Sequence, residues 1–218
     1  MSAYIEIRNC SKTIKQAEIL KNINLDIEWN SVCGFVGRNG SGKTMLFKML
    51  AGLLMPSGGQ ININGQVLSA GKTYPEKIGV MIENNGLWPF LNAYENLSIL
   101  GDIRGEISPT HIRRAIRHVE LADDKKTFSK YSLGMKQRLV FAQAIMEHPR
   151  LLILDEPTNA LDKSGVCLFK DIIDEEVFLG ATVLIASHSL EDFEGFCHKV
   201  VYMNGGEIES IENGGRSQ

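Results

Sequence analysis

The residues Gly37-Arg38-Asn39-Gly40-Ser41-Gly42-Lys43-Thr44 carry the densest chemical information in this chain. They fit the spacing G-x-x-x-x-G-K-S/T, in which glycines let backbone N–H groups turn inward around a chain of phosphates. Lys43 would then spread positive charge over the β- and γ-phosphates, and Thr44 would offer a hydroxyl to Mg²⁺. The context supports the motif. An apolar run, Val32-Cys33-Gly34-Phe35-Val36, leads into it, and a helical pattern, Met45-Leu46-Phe47-Lys48-Met49-Leu50, follows and stops before Gly52. The N-terminus of such a helix adds about half a positive charge behind the phosphates.

A second apolar run, Leu151-Leu152-Ile153-Leu154, ends in Asp155-Glu156. This sets two acids at the carboxyl end of a strand, where ligands sit in an open α/β sheet. On its own such a pair reads as a loop start or a helix cap. With a phosphate loop upstream, Asp155 suits the shell of a Mg²⁺ ion and Glu156 suits an attacking water.

These side chains need a frame, and its elements are legible. The runs 32–36, 151–154 and 182–186 are nearly continuous in apolar residues, with helical patterns between them, as strands of a parallel sheet covered on both faces should be. Shorter runs at 4–7, 23–27 and 61–63 alternate in polarity and predict a small antiparallel β lobe with one wet face. From 91 to 147 the pattern is helical. Ser108 can cap a helix with Pro109 in its first position, and Ile112, Ala115, Ile116 and Val119 form one stripe. Arg113, Arg114, Arg117 and His118 fall outside that stripe and read as an ordinary solvated face, with a partner-binding surface as the second reading.

Composition limits the classes of function. The 218 residues, 44% of them hydrophobic, suffice for one sizeable domain, and a formal charge of −3 gives no global attraction to nucleic acid or anionic lipid. Cys10, Cys33, Cys167 and Cys197 lie far apart without a C-x-x-C pair, which fits idle thiols in a reducing compartment. Glu6 and Arg8 break any signal-like run at the N-terminus, and the apolar stretch 177–186 falls short of the ~20 residues of a membrane span. The chain is expected to stay in the cytoplasm, and any membrane work would need a partner that crosses.

The segment Tyr131-Ser132-Leu133-Gly134-Met135-Lys136-Gln137-Arg138, upstream of 151–162 and followed at a distance by Ser187-His188, resembles the ATP-binding-cassette family, over essentially the whole chain. In that family a signature motif close to L-S-G-G-Q contacts the γ-phosphate held by the opposite subunit. Ser132 and Gly134 match it; Tyr131, Leu133 and Met135 depart from it. Ser132 is also a good cap for the helix carrying Leu139, Ala142, Ile145 and Met146. Asn159-Ala160-Leu161-Asp162 is similar to the family's loop between two ATP sites, and His188 to its switch histidine at the γ-phosphate.

Two further departures matter. Glu83 stands where the family has a glutamine; it remains a hard-oxygen ligand for Mg²⁺. Ile14 stands where an aromatic side chain often stacks on adenine, at a loss of ~1–3 kcal/mol of stacking. Glu83 together with the segment 132–139 resembles the subset of cassettes that export, or confer immunity to, peptide antibiotics such as bacitracin and lantibiotics.

The resemblance implies an α/β fold: a P-loop NTPase core with a parallel sheet and a small antiparallel β subdomain (1–86 and 148–218), into which a helical subdomain (87–147) is inserted. It implies a homodimer, or a pair with a sister ATPase subunit, enclosing two ATP and Mg²⁺ sites. Each would use Lys43, Thr44, Asp155, Glu156 and His188 of one chain and Ser132 and Gly134 of the other. It also implies a transmembrane permease partner at the inner face of the cell membrane, exporting a peptide antibiotic, drug or lipid-like substrate. Soluble cassettes that act on DNA or ribosomes share these motifs, but their long coiled coil or second cassette does not fit in 218 residues, and no nucleic-acid partner is expected. A binding-only cassette is disfavoured by the presence of Glu156.

Overall fold

The computed structural model describes residues 3–68, 77–82, 86–104 and 107–216. In chain order the strands and helices are β1 (Ile5–Ile14), β2 (Ala17–Ile27), β3 (Val32–Val36), α1 (Lys43–Leu50), β4 (Gly58–Ile63), β5 (Gln66–Val67) and β6 (Ile78–Met81). Three helices follow, α2 (Ala93–Arg104), α3 (Pro109–His118) and α4 (Leu133–Ile145). The chain then returns through β7 (Leu151–Asp155), α5 (Lys163–Phe178), β8 (Thr182–Ser187), β9 (Lys199–Asn204) and β10 (Glu207–Asn213). Among the described residues no helix is long and apolar enough to cross a membrane.

The central sheet has the order β10-β9-β3-β8-β7-β6, parallel from β9 to β6 and closed on one edge by antiparallel β10. Its inner strands β3, β7 and β8 are nearly continuous in apolar residues because both faces are covered. On one face Val32, Leu152, Leu154, Val183 and Ile185 meet buried residues of α3, α4 and α5. On the other, Cys33, Phe35, Leu151, Ile153, Leu184 and Ala186 meet α1 and the antiparallel strands. The edge strand β10 is largely exposed and carries Glu207, Glu209 and Glu212, charges that discourage a second chain from adding to the sheet.

The second sheet, β2-β1-β4-β5, is antiparallel. Ile5 lies opposite Ile27 and Ile63, and Ile7 opposite Leu25 and Ile61, so the alternation expected from sequence becomes one buried apolar row. That row packs on α1. Phe47 of α1 meets Phe35 of β3 edge-on, with ring centroids 5.1 Å apart; truncating either ring would cost about 3–5 kcal/mol.

The helices between β6 and β7 are fastened by local polar contacts. Asn92 and Glu95 cap α2 reciprocally, each side chain accepting from the other's backbone N–H at 2.8 and 2.9 Å. Asn96, fully buried, accepts from Trp88 N–H at 2.7 Å and donates to the carbonyls of Trp88, Leu91 and Asn92. It thereby fixes the segment that leads into α2. Ser108 accepts from His111 N–H and caps α3, whose stripe Ile112, Ala115 and Ile116 is buried, while Arg113, Arg114 and Arg117 are exposed. Arg113 lies 4.3 Å over the Tyr94 ring and pairs with Asp123, which suits a solvated face.

Candidate active site

The carboxyl ends of β3, β6 and β7 converge on one cavity of about 520 Å³. Its wall includes Gly40, Ser41, Gly42, Lys43 and Thr44 from the phosphate loop, Asp155 and Glu156 from the end of β7, and Gln137 from α4. Asn39, Met45, Met81 and Ile82 also line it, as do Ile19 of β2 and Asn159 of the turn after β7.

The loop is shaped by its glycines and held from outside. Gly42 has φ +106°, and a Cβ there would lie 2.7 Å from Leu20 Cδ2, so only glycine fits. The turn between β9 and β10 clamps the loop from the opposite side: Gly206 N–H donates to Ser41 O at 3.0 Å, and Lys21 N–H donates to Gly206 O at 2.8 Å. Lys43 is 5% exposed and donates to the carbonyls of Gly37, at 2.6 Å, and Arg38, at 3.3 Å. Burial lowers the pKa of its ammonium, and the nearby Glu156 and Asp155 carboxylates oppose that shift. Ser41 Oγ is buried without a hydrogen-bond partner, the arrangement expected of a hydroxyl directed at an anionic oxygen. Arg38 is exposed and takes part through its carbonyl.

The acids meet the loop directly. Thr44 Oγ1 donates to Asp155 Oδ2 at 2.5 Å. The Glu156 carboxylate is bonded to His188 Nδ1 at 2.9 Å, and Glu156 N–H donates to Ala186 O at 3.0 Å. Glu156 has φ +50°, the left-handed region that costs a non-glycine residue about 1–2 kcal/mol. Asp162 caps α5 by accepting from Gly165 N–H at 2.8 Å; this bond and that from the Ser164 hydroxyl hold its carboxyl below its ordinary pKa.

Lys43, Thr44, Asp155, Glu156 and His188 are thus brought together within one chain. Ser132 and Gly134 are not: Ser132 is exposed at the start of α4, where it accepts from Met135 N–H at 3.2 Å, and neither residue is on the cavity wall. Ile14 is partly buried at the β1–β2 hairpin, opposite Ala17, and the aliphatic side chain on the wall is that of Ile19. Glu83 lies outside the described residues. Sequence reasoning also missed Gln137, whose Nε2 donates to Glu156 O and Pro157 O, both at 3.0 Å. Its place in the segment 131–138 was the available signal.

The donor set suits a nucleoside triphosphate with Mg²⁺. Thr44 and Asp155 supply a hydroxyl and a carboxylate, the small protein share that Mg²⁺ takes when phosphate oxygens and water fill the rest of its shell. The ABC transporter family model matches residues 20–159. The chain belongs to the ABC transporter family.

Within it, the chain is 44% identical over 209 residues to the ABC transporter ATP-binding protein YybJ of Bacillus subtilis, covering 95% of this chain and 96% of that one. It is 37% identical to the bacitracin transport ATP-binding protein BcrA of Enterococcus faecalis, over 95% of this chain and 68% of BcrA. It is 35% identical to the lantibiotic transport ATP-binding protein SrtF of Streptococcus pyogenes, over 94% and 88%. Among solved structures, a dimeric post-hydrolysis state of the ATP-binding cassette MJ0796 with ADP and Pi superposes with a TM-score of 0.84 at 25% identity, covering 98% of this chain and 100% of that one. This ABC chain is therefore an ATP-binding subunit of the ATPase kind, and its relatives favour the transport reading over action on DNA or ribosomes.

Proposed function

We propose that two copies of this chain, or one copy and a sister subunit, hydrolyse ATP between them and so drive a transmembrane permease that exports a peptide antibiotic or a similar amphipathic compound. The observation that carries the catalytic part is the Glu156 carboxylate, held by His188 at the mouth of a cavity that also contains Lys43 and the Thr44–Asp155 pair. Gly37 to Thr44 would cradle the phosphates, with Lys43 and Ser41 supplying donors. Mg²⁺ would neutralise phosphate charge and polarise the bond to the leaving oxygen, held by Thr44 and Asp155, with Glu83 as the third candidate ligand. Glu156 would orient and deprotonate the attacking water, and His188 would fix that carboxylate.

Ser132 and Gly134 would complete the site of the opposite chain; Ser132 is exposed and Gly134 half-buried, and the place of both off the wall of their own cavity supports this. Residues 87–147 would move as a helical unit against the remainder, and Glu83, between β6 and α2, would couple that movement to the metal. The permease places the chain at the inner face of the membrane. The names of BcrA and SrtF support the substrate class.

Replacing Glu156 with glutamine tests the reading. Turnover should fall by about 10²- to 10⁴-fold, the usual contribution of a general base, while ATP binding persists. The same variant should sediment as a dimer with Mg-ATP. Turnover within a few-fold of wild type would sink the assignment of Glu156.

A further inference from the structure

Glu156 is the residue of this site least able to hold its own conformation. At φ +50° it occupies the left-handed region without being glycine, and it precedes Pro157, which restricts the backbone further. Such a conformation persists only where neighbours over-determine it. Its amide is tied to β8 through Ala186 O and its carboxylate to His188. Its carbonyl is tied to α4: the single side-chain amide of Gln137 donates to Glu156 O and to Pro157 O, each at 3.0 Å. An amide NH₂ carries two hydrogens, enough to serve both carbonyls.

The same helix touches the turn again. A Cβ on Gly134 would lie 3.0 Å from Ala160 O, Ala160 itself has φ +69°, and Asn159 N–H donates to Glu156 O at 3.3 Å. The 156–160 turn is therefore held between the start of α4 and the end of β8. Gln137 lies one helical turn beyond Gly134, on the cavity wall itself.

We propose that Gln137 is a positioning residue: by holding the Glu156 and Pro157 carbonyls it sets where the Glu156 carboxylate points, so that displacement of α4 misaligns the attacking water. This rests on the reading of Glu156 as the water-activating group. It adds a link within one chain between the helix whose exposed start faces the opposite subunit and the carboxylate that acts on its own nucleotide. A strut of purely structural value would stabilise the turn without changing the rate of the chemical step.

Gln137→Met keeps length and removes the donor. Steady-state ATPase should show kcat reduced about 10- to 100-fold, the scale of a misplacement near 1 Å, with KM for ATP within about threefold. Gln137→Lys restores a donor of similar reach and should recover kcat to within about fivefold of wild type. Thermal melts and nucleotide-binding stoichiometry, measured alongside, normalise kcat to folded sites. A lower Tm with unchanged kcat per site, or a lysine variant as slow as the methionine variant, overturns the proposal. Glu156→Gln run in parallel separates the two claims. If it is inactive while Gln137→Met turns over normally, positioning alone fails; if it turns over normally, the assignment of Glu156 fails.

Discussion

Thr44 and Asp155, 111 positions apart in the chain, share a hydrogen bond of 2.5 Å that joins the first turn of α1 to the end of β7. It brings a hydroxyl and a carboxylate to one point beside the phosphate loop. Thr44→Val keeps the shape and removes the hydroxyl. ATPase activity should fall by about tenfold or more, the value of one hydrogen bond to a charged group at about 1.5–3 kcal/mol, and the Mg²⁺ concentration for half-activity should rise. Thr44→Ser should stay near wild type. An unchanged Mg²⁺ requirement in the valine variant would remove Thr44 from the metal site.

His188 touches Glu156 rather than the phosphate loop. His188→Ala should lower kcat by about 10- to 100-fold while KM for ATP stays within about threefold, because the carboxylate loses its orientation and the phosphate cradle is intact. A large rise in KM instead would place His188 on the nucleotide in the ground state.

Ile19, an aliphatic side chain, lines the cavity beside Gly42 and Met45. It offers a base dispersion contact without the ~1–3 kcal/mol of aromatic stacking. Competition between ATP and GTP should give KM values within about tenfold of each other. Ile19→Ala should raise both by a few-fold, whereas Ile14→Ala should change neither. A selective effect of the Ile14 variant on ATP would restore the hairpin position as the base contact.

His198 controls a pH response remote from catalysis. Its Nδ1 accepts from Val32 N–H at 3.0 Å at the start of β3, and burial, aided by the Arg216 guanidinium, lowers its pKa below the ordinary 6.5. The folded state therefore binds fewer protons than the unfolded state between 6.5 and that lowered value. The stabilisation is present above 6.5 and is lost as pH falls through this window. Thermal melts from pH 7.5 to 5 should show His198→Asn losing less Tm than wild type over that range, and parallel curves would refute the role of His198.

Much of this was readable from residue order because the strongest signals are local. The phosphate loop, the acids after an apolar strand and the Ser108 cap each depend on neighbours within a few residues, and each lies where it was expected. What sequence could not supply depends on contacts between remote segments. That Ile19 lines the cavity depends on how the β1–β2 hairpin, with its register shifts, lies against the phosphate loop, which no count along the chain reveals. Gln137 becomes significant only when Glu156 is found with a positive φ. Cys10, Cys33 and Cys197 are buried, with the Cys197 thiol pushed up by burial to about 12, while Cys167 is exposed.

The clamp of Gly206 on Ser41 also bears on biosynthesis. The phosphate loop leaves the ribosome well before Gly206, whose N–H holds it, and before the β9 strand that lies beside β3. At about 5–20 residues per second, a nascent chain carries an unclamped loop for roughly ten seconds or more. During that interval nucleotide lacks the clamped loop through which it would stabilise the protein by mass action, so protection by ATP should begin once β9 and β10 have emerged. Ribosome-bound chains stalled before β9 are thus the form of this cassette most exposed to proteases and most dependent on chaperones.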